Sequence, residues 1–217
     1  MRERGIIFSA PMVKGILAGR KTVTRRLYVP RPGYPKEDGE ITPTSQESWT
    51  DFGPCPYGGV GDRLWVRETW RTAKQLDGKS PKEIGRKALD AGYASSWAPV
   101  EYLADGARVN WERALWGDHG GTRVSIHMPR WASRIVLEIT EVRVERLQEI
   151  TEEDAKAEGV LKTGGRAGLE PYHFRPARDL FRELWNTING SRANWESNPF
   201  VWVVRFRRVE DALQGAK

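Results

Sequence analysis

The chain has 217 residues, 39% hydrophobic and 29% charged, with a mean hydropathy of −0.62. That suits one soluble domain with a real core, or one domain plus a large insertion, and is too short for two full-sized domains. No run approaches the roughly 20 apolar residues that span a bilayer. Ile6-Ile7-Phe8, behind Met1-Arg2-Glu3-Arg4, is too brief for a signal sequence. A single cysteine, Cys55, excludes an internal disulfide framework and a Cys-rich zinc site and fits a reducing cytoplasm. Net charge is +6, and 25 of the 35 cationic residues are arginine, beside ten tryptophans. Arginine's planar donor fork suits phosphates and base edges, so this balance points to a nucleic acid or nucleotide partner. A GC-rich genome using Arg for Lys, with Trp as core filler, accounts for it equally well.

In chain order, Gly5–Phe8 reads as a short strand. Ser9 can cap a helix carrying Met12, Val13, Ile16 and Leu17 on one side, with Gly19 placed to stop it. Residues 28–60 hold six prolines among glycines and polar residues and read as a long loop. Gly61-Asp62 is a turn feeding a strand through Leu64 and Val66 to Glu68. Residues 71–133 show no clean periodicity and read as an insertion. A strand resumes at Arg134, and its apolar parity flips between Ile139 and Val142-Arg143-Val144, as a β-bulge would produce. Thr151 caps a short helix with Asp154 at its third position, Ile150 stapling against Ala155, and Gly159 ending it. A second helix spans roughly 177–188, with Leu180, Phe181, Leu184, Trp185 and Ile188 on one face. The closing strand, Phe200 to Arg208, alternates Phe200, Trp202, Val204 and Phe206 against Val201, Val203, Arg205 and Arg207. Short strands with a few helices between them predict a small α+β barrel.

The densest chemistry is Gly19-Arg20-Lys21-Thr22-Val23-Thr24-Arg25-Arg26. Two hydroxyls lie beside four cations. In an extended chain Lys21, Val23 and Arg25 face one way and Thr22, Thr24 and Arg26 the other. Two readings stay open: a basic patch that grips phosphates, or a desolvated lysine activating a threonine nucleophile.

The string Ile16 to Arg26 resembles the signature of the ASCH superfamily, a PUA-like β-barrel group, and within it the bacterial N4-acetylcytidine amidohydrolases. Gly61-Asp62-Arg63-Leu64-Trp65-Val66, the helix from Leu147 to Gly159 and the aromatic closing strand resemble further family segments in the same order. The resemblance implies an α+β, PUA-like small barrel with flanking helices, read as a single domain over 1–217 with insertions at about 28–59 and 71–133. It also implies a catalytic set of Lys21 as base, Thr24 as nucleophile and Glu158 as proton shuttle or orienting acid. Arg26 would anchor a phosphate or carboxylate. No cofactor and no metal are implied, and similar insertion-bearing proteins occur in phage contexts.

Glu158, at a helix C-terminus, opposes the helix dipole, which favours a cationic partner such as Lys21 or Arg26. Glu68 shares a strand face with Leu64 and Val66, so an inward carboxylate paired with an arginine is expected. Arg20, Thr22, Arg25, Arg26, Glu68, Arg130 and Trp131 are candidate substrate or nucleic-acid contacts. His119, His127 and His173 have no metal-ligand spacing, and Cys55 reads as a bystander. Trp65, Trp70, Trp185 and Trp202 are expected in the core; Trp49, Trp97, Trp111, Trp116 and Trp195 are candidates for a ligand wall. The expected activity is removal of an acyl group from N4-acetylcytidine or a related modified nucleoside. An RNA-binding module or a ribonuclease using the same basic cleft is the alternative.

Overall fold

A computed structural model describes residues 1–30, 52–111, 117–160 and 175–209. The fold is mixed α+β, with eight strands and four α-helices among these residues. The strands are β1 (Glu3–Ile7), β2 (Val23–Leu27), β3 (Arg63–Arg67), β4 (Trp70–Arg71), β5 (Val100–Tyr102), β6 (Arg108–Val109), β7 (Val136–Arg146) and β8 (Phe200–Val209). The helices are α1 (Ala10–Leu17), α2 (Pro81–Asp90), α3 (Glu152–Ala157) and α4 (Ala177–Asn189). The chain forms two compact units, each assembled from separated segments: 1–17, 62–138 and 208–217 in the first, 18–61 and 139–207 in the second. No helix among the described residues is long and apolar enough to cross a membrane.

In the first unit β1 pairs parallel with β3, and β3 antiparallel with the start of β7. α1 begins where Val13 N donates to Ser9 O at 2.9 Å and buries Val13 and Ile16. Residues 71–133, read from sequence as an irregular insertion, carry structure of their own. β4, β5 and β6 form an antiparallel sheet, and Trp70, Val100, Tyr102, Met128 and Ala132 make its core. Two- and three-residue strands leave no periodicity to read. The start of α2 is a signal that the sequence reading passed over: Ser80 caps Glu83 N at 3.2 Å and Pro81 opens the helix.

In the second unit β2 pairs antiparallel with β8, so that Thr24 lies opposite Val204 and Arg26 opposite Trp202. The local order is β7, β8, β2. β7 is one continuous strand whose buried positions change parity between Ile139 and Val142. β8 is buried on both faces at its start. Val201 and Val203 join Val23, Ile150, Ala155, Phe181 and Trp185 under α3 and α4. On the other face Tyr28, Phe52, Phe200 and Trp202 meet with ring centroids 5.1–6.0 Å apart. Each such side chain contributes about 1.5–3 kcal/mol on burial. Trp195, expected in a ligand wall, is instead a core residue packed beside Phe181. Ile188, at the end of α4, is exposed. The loop expected at 28–60 lies mostly outside the described residues, as do Trp49, Trp116 and His173.

α3 has only six residues, so its cap matters. The Thr151 hydroxyl accepts from Asp154 N at 3.1 Å. Thr151→Ala is expected to lower stability by about 1 kcal/mol, read as a lower urea midpoint with an unchanged slope.

Candidate functional site

Within the second unit β2 stands at the end of its sheet. Thr22 O and Tyr28 N bond to β8, so backbone groups of the odd-numbered residues point away from it. A buried backbone group left without a partner costs about 1–3 kcal/mol. Two side chains meet this demand. Lys21 Nζ donates to Val23 O at 2.9 Å, and Glu158 Oε1 accepts from Arg25 N at 2.6 Å. Lys21 and Glu158 join directly, Nζ to Oε2 at 2.6 Å, and Nζ also donates to the Glu158 carbonyl at 3.0 Å. Both are almost fully buried, at 2% and 3% exposure.

Gly159 makes this approach possible. It has φ +81°, and a Cβ there would lie 2.9 Å from Lys21 Cβ. Any other residue would strain the turn and push α3 away from the lysine. Thr22 N donates to Ala157 O at 2.9 Å and fastens the start of β2 to the same helix end. Burial drives the Lys21 ammonium below its ordinary value, against the opposing pull of Glu158.

The other face of β2 carries Thr24, which is buried, and Arg26. Burial lowers the Arg26 guanidinium and raises Tyr57, while the charges of Tyr57 and Glu158 act to keep Arg26 protonated. Outside, Arg20 and Thr22 are exposed and line an open groove of about 650 Å³ with Glu153, Lys156, Ala157 and Gly159.

Arg25, a candidate ligand contact from sequence, is committed to the interior. Its Nε and Nη2 reach Glu145 Oε1 at 2.8 and 2.6 Å, and Nη2 reaches Asp154 Oδ2 at 2.6 Å. Arg143 bridges Glu141, Glu145 and Asp154 at 2.7–2.9 Å, and Arg205 bonds Asp154 as well. Burial works to raise the Asp154 carboxyl, but Arg25, Arg205 and Arg143 together hold it below the usual carboxylate range. Sequence reading missed this network. Its signal was Glu141-x-Arg143-x-Glu145, alternating charges on one face of one strand.

The remaining candidates belong to the first unit. Glu68 is buried with the expected arginine: Arg134 holds both its oxygens at 2.9 and 3.0 Å and also grips Asp105. Burial nonetheless raises the Glu68 carboxyl, with Arg134 opposing. Arg130 pairs with Glu3 at 2.9 Å, whereas Trp131 stands edge-on to Trp70. His119 Nδ1 lies 2.6 Å from Glu101, which Arg71 also holds. Among the described residues no group of three or more His, Cys, Asp or Glu could hold a metal ion.

No protein-family model matches the chain, and no curated protein matches it. A crystal structure of an ASCH domain from Lactobacillus crispatus JV V101 is similar to it at 10% identity with a TM-score of 0.41, over 95% of this chain and 79% of that one.

Lys21→Met leaves Glu158 without its counter-charge and is expected to cost about 3–5 kcal/mol, whereas Lys21→Met with Glu158→Leu costs much less than the sum of the singles; chemical denaturation of the three variants checks this. The depressed Asp154 fixes a pH dependence. Its carboxyl ionises below the ordinary value of 3.8, so on acidification the unfolded chain takes up that proton first. Stability held above this pH is lost as pH falls through the folded value. Asp154→Asn, weaker at neutral pH, is expected to show a shallower loss of stability as pH falls below about 4 in acid-unfolding curves.

Proposed function

We propose that the second unit hydrolyses the N-acyl bond of N4-acetylcytidine or a related modified nucleoside, with Lys21 as base, Thr24 as nucleophile and Glu158 as the group that takes up the lysine's proton. The observation that carries this reading is the dry contact of Lys21 Nζ with Glu158 Oε2 at 2.6 Å, beside the edge strand that carries Thr24.

The chemistry follows from that contact. A lysine serves as a base only when neutral, and desolvation is the means by which proteins reach that state. Glu158 is within reach to hold the displaced proton. Thr24 lies on the other face of β2, so the reading requires a kink at the start of the strand that brings the Lys21 amine to the Thr24 hydroxyl; the amine then takes the hydroxyl proton as Oγ attacks the acetyl carbon. Collapse of the tetrahedral adduct expels the exocyclic amine, which leaves with a proton from the Lys21 ammonium. Water hydrolyses the acyl-threonine to acetate, with the same lysine as base, and restores the hydroxyl. Arg26, on the face of Thr24, offers a donor for the substrate. Of the catalytic set that the resemblance of Ile16 to Arg26 implies, the contact of Lys21 with Glu158 supports two members.

The alternative is a nucleic-acid-binding module or a ribonuclease. It draws on the exposed Arg20 and on Lys156 in the groove beside Gly159.

Chromatography of N4-acetylcytidine incubated with the protein decides between them. Conversion to cytidine is expected, with Thr24→Ala, Lys21→Ala and Glu158→Ala each reducing it by about 10²-fold or more. Thr24→Ser, which keeps the hydroxyl, is expected to retain measurable turnover, with circular dichroism verifying that each variant is folded. An untouched nucleoside, together with RNA binding or cleavage lost in Arg20→Glu, would make the alternative the leading reading.

A further inference from the structure

The first unit holds a second groove, of about 520 Å³, between the start of α2 and residues 126–131. That size is within the roughly 300–1,000 Å³ usual for small-molecule sites. Its lining is one-sided in charge. Arg67, Lys82 and His127 contribute basic groups, Ser80 and Ser96 contribute hydroxyls, and no carboxylate is among the lining residues.

Two of these groups are fixed in place. Arg67 donates from Nε to Met128 O at 3.3 Å and from Nη2 to Ile126 O, so its charge belongs to the groove wall. The Trp131 indole is braced edge-on by Trp70, with centroids 6.0 Å apart at 88°. It is half-buried, leaving part of the ring facing the groove. Gly85 forms the floor. A Cβ there would lie 2.9 Å from Ser96 Oγ and 3.0 Å from Trp131 Nε1, so the bare backbone is what allows the indole and the serine to close on α2. Lys82, one turn earlier on the same helix, is exposed. A rigid ring beside one fixed and one exposed cation suits a ligand that is planar at one end and anionic at the other.

We propose that this groove binds a nucleoside phosphate, the base resting against the Trp131 indole and the phosphate held by Lys82 and Arg67. The site is built wholly from the first unit and does not rest on the hydrolytic reading of Lys21, Thr24 and Glu158. The same ligand chemistry is offered by a free mononucleotide and by one unit of a single-stranded polynucleotide.

The test is calorimetric titration of the full chain with cytidine 5′-monophosphate, cytidine, inorganic phosphate and a short oligocytidylate. Saturable binding of the monophosphate is expected, tighter than that of cytidine or phosphate alone. Lys82→Glu, at an exposed position, is expected to weaken it about tenfold or more, with circular dichroism verifying that the variant is folded. Trp131→Leu should weaken cytidine and its monophosphate alike. Binding of the oligonucleotide but not the mononucleotide, with the same sensitivity to Lys82→Glu, identifies the polymer as the source. The proposal is overturned if neither nucleotide binds, if Lys82→Glu binds as wild type does, or if cytidine binds as tightly as its monophosphate.

Discussion

A strand at the end of a sheet has to satisfy backbone groups that no neighbouring strand can reach, and in the second unit that demand falls on charged side chains. Lys21 takes the Val23 carbonyl and Glu158 takes the Arg25 amide. Neither could be buried alone, because an isolated charge in a dry interior is too costly. Joined, they neutralise each other and protect an edge that would otherwise invite pairing with another chain. A polar pair at this position is therefore intelligible as architecture before any chemistry is asked of it. The same dryness that the architecture imposes is what alters the lysine's proton affinity.

Around that pair the interior of the unit is organised by charge as much as by apolar packing. Arg25 on β2, Glu145 and Arg143 on β7, Asp154 on α3 and Arg205 on β8 share one connected set of bonds. Every carboxylate in it faces at least two guanidinium groups. Bidentate guanidinium geometry is directional, unlike the apolar contacts of Val23, Phe181 and Trp185 beside it. The apolar cluster supplies the drive to collapse, while the ion network fixes which face of β2 meets which helix.

Much of this was legible from the residues. Period-two and period-3.6 patterns located β1, β3, β8, α1 and α4 within a few positions, and the Thr151 cap located α3. The helix-dipole argument at Glu158 pointed to a cationic partner, and inward parity at Glu68 pointed to an arginine. What escaped has physical reasons. Strands of two or three residues, such as β4 and β6, are too short to show alternation. Trp195 has no periodic neighbours, yet it is buried because Asn186 and Gln148 bind its backbone from both sides. The internal role of Arg25 was hidden because spacing in one strand says nothing of the carboxylates that other strands and helices bring to it.

The contact between Lys21 and Glu158 joins residues 137 positions apart, and β2 finds its strand partner only in β8, some 180 residues further on. During synthesis at about 5–20 residues per second, β2 therefore waits roughly 10–40 s for the strand that completes its pairing. Throughout that interval Lys21, Arg25 and Arg26 are exposed cations. The segment that ends as one of the driest parts of the unit thus spends its nascent life as a strongly hydrated one, kept by its own charges from premature association.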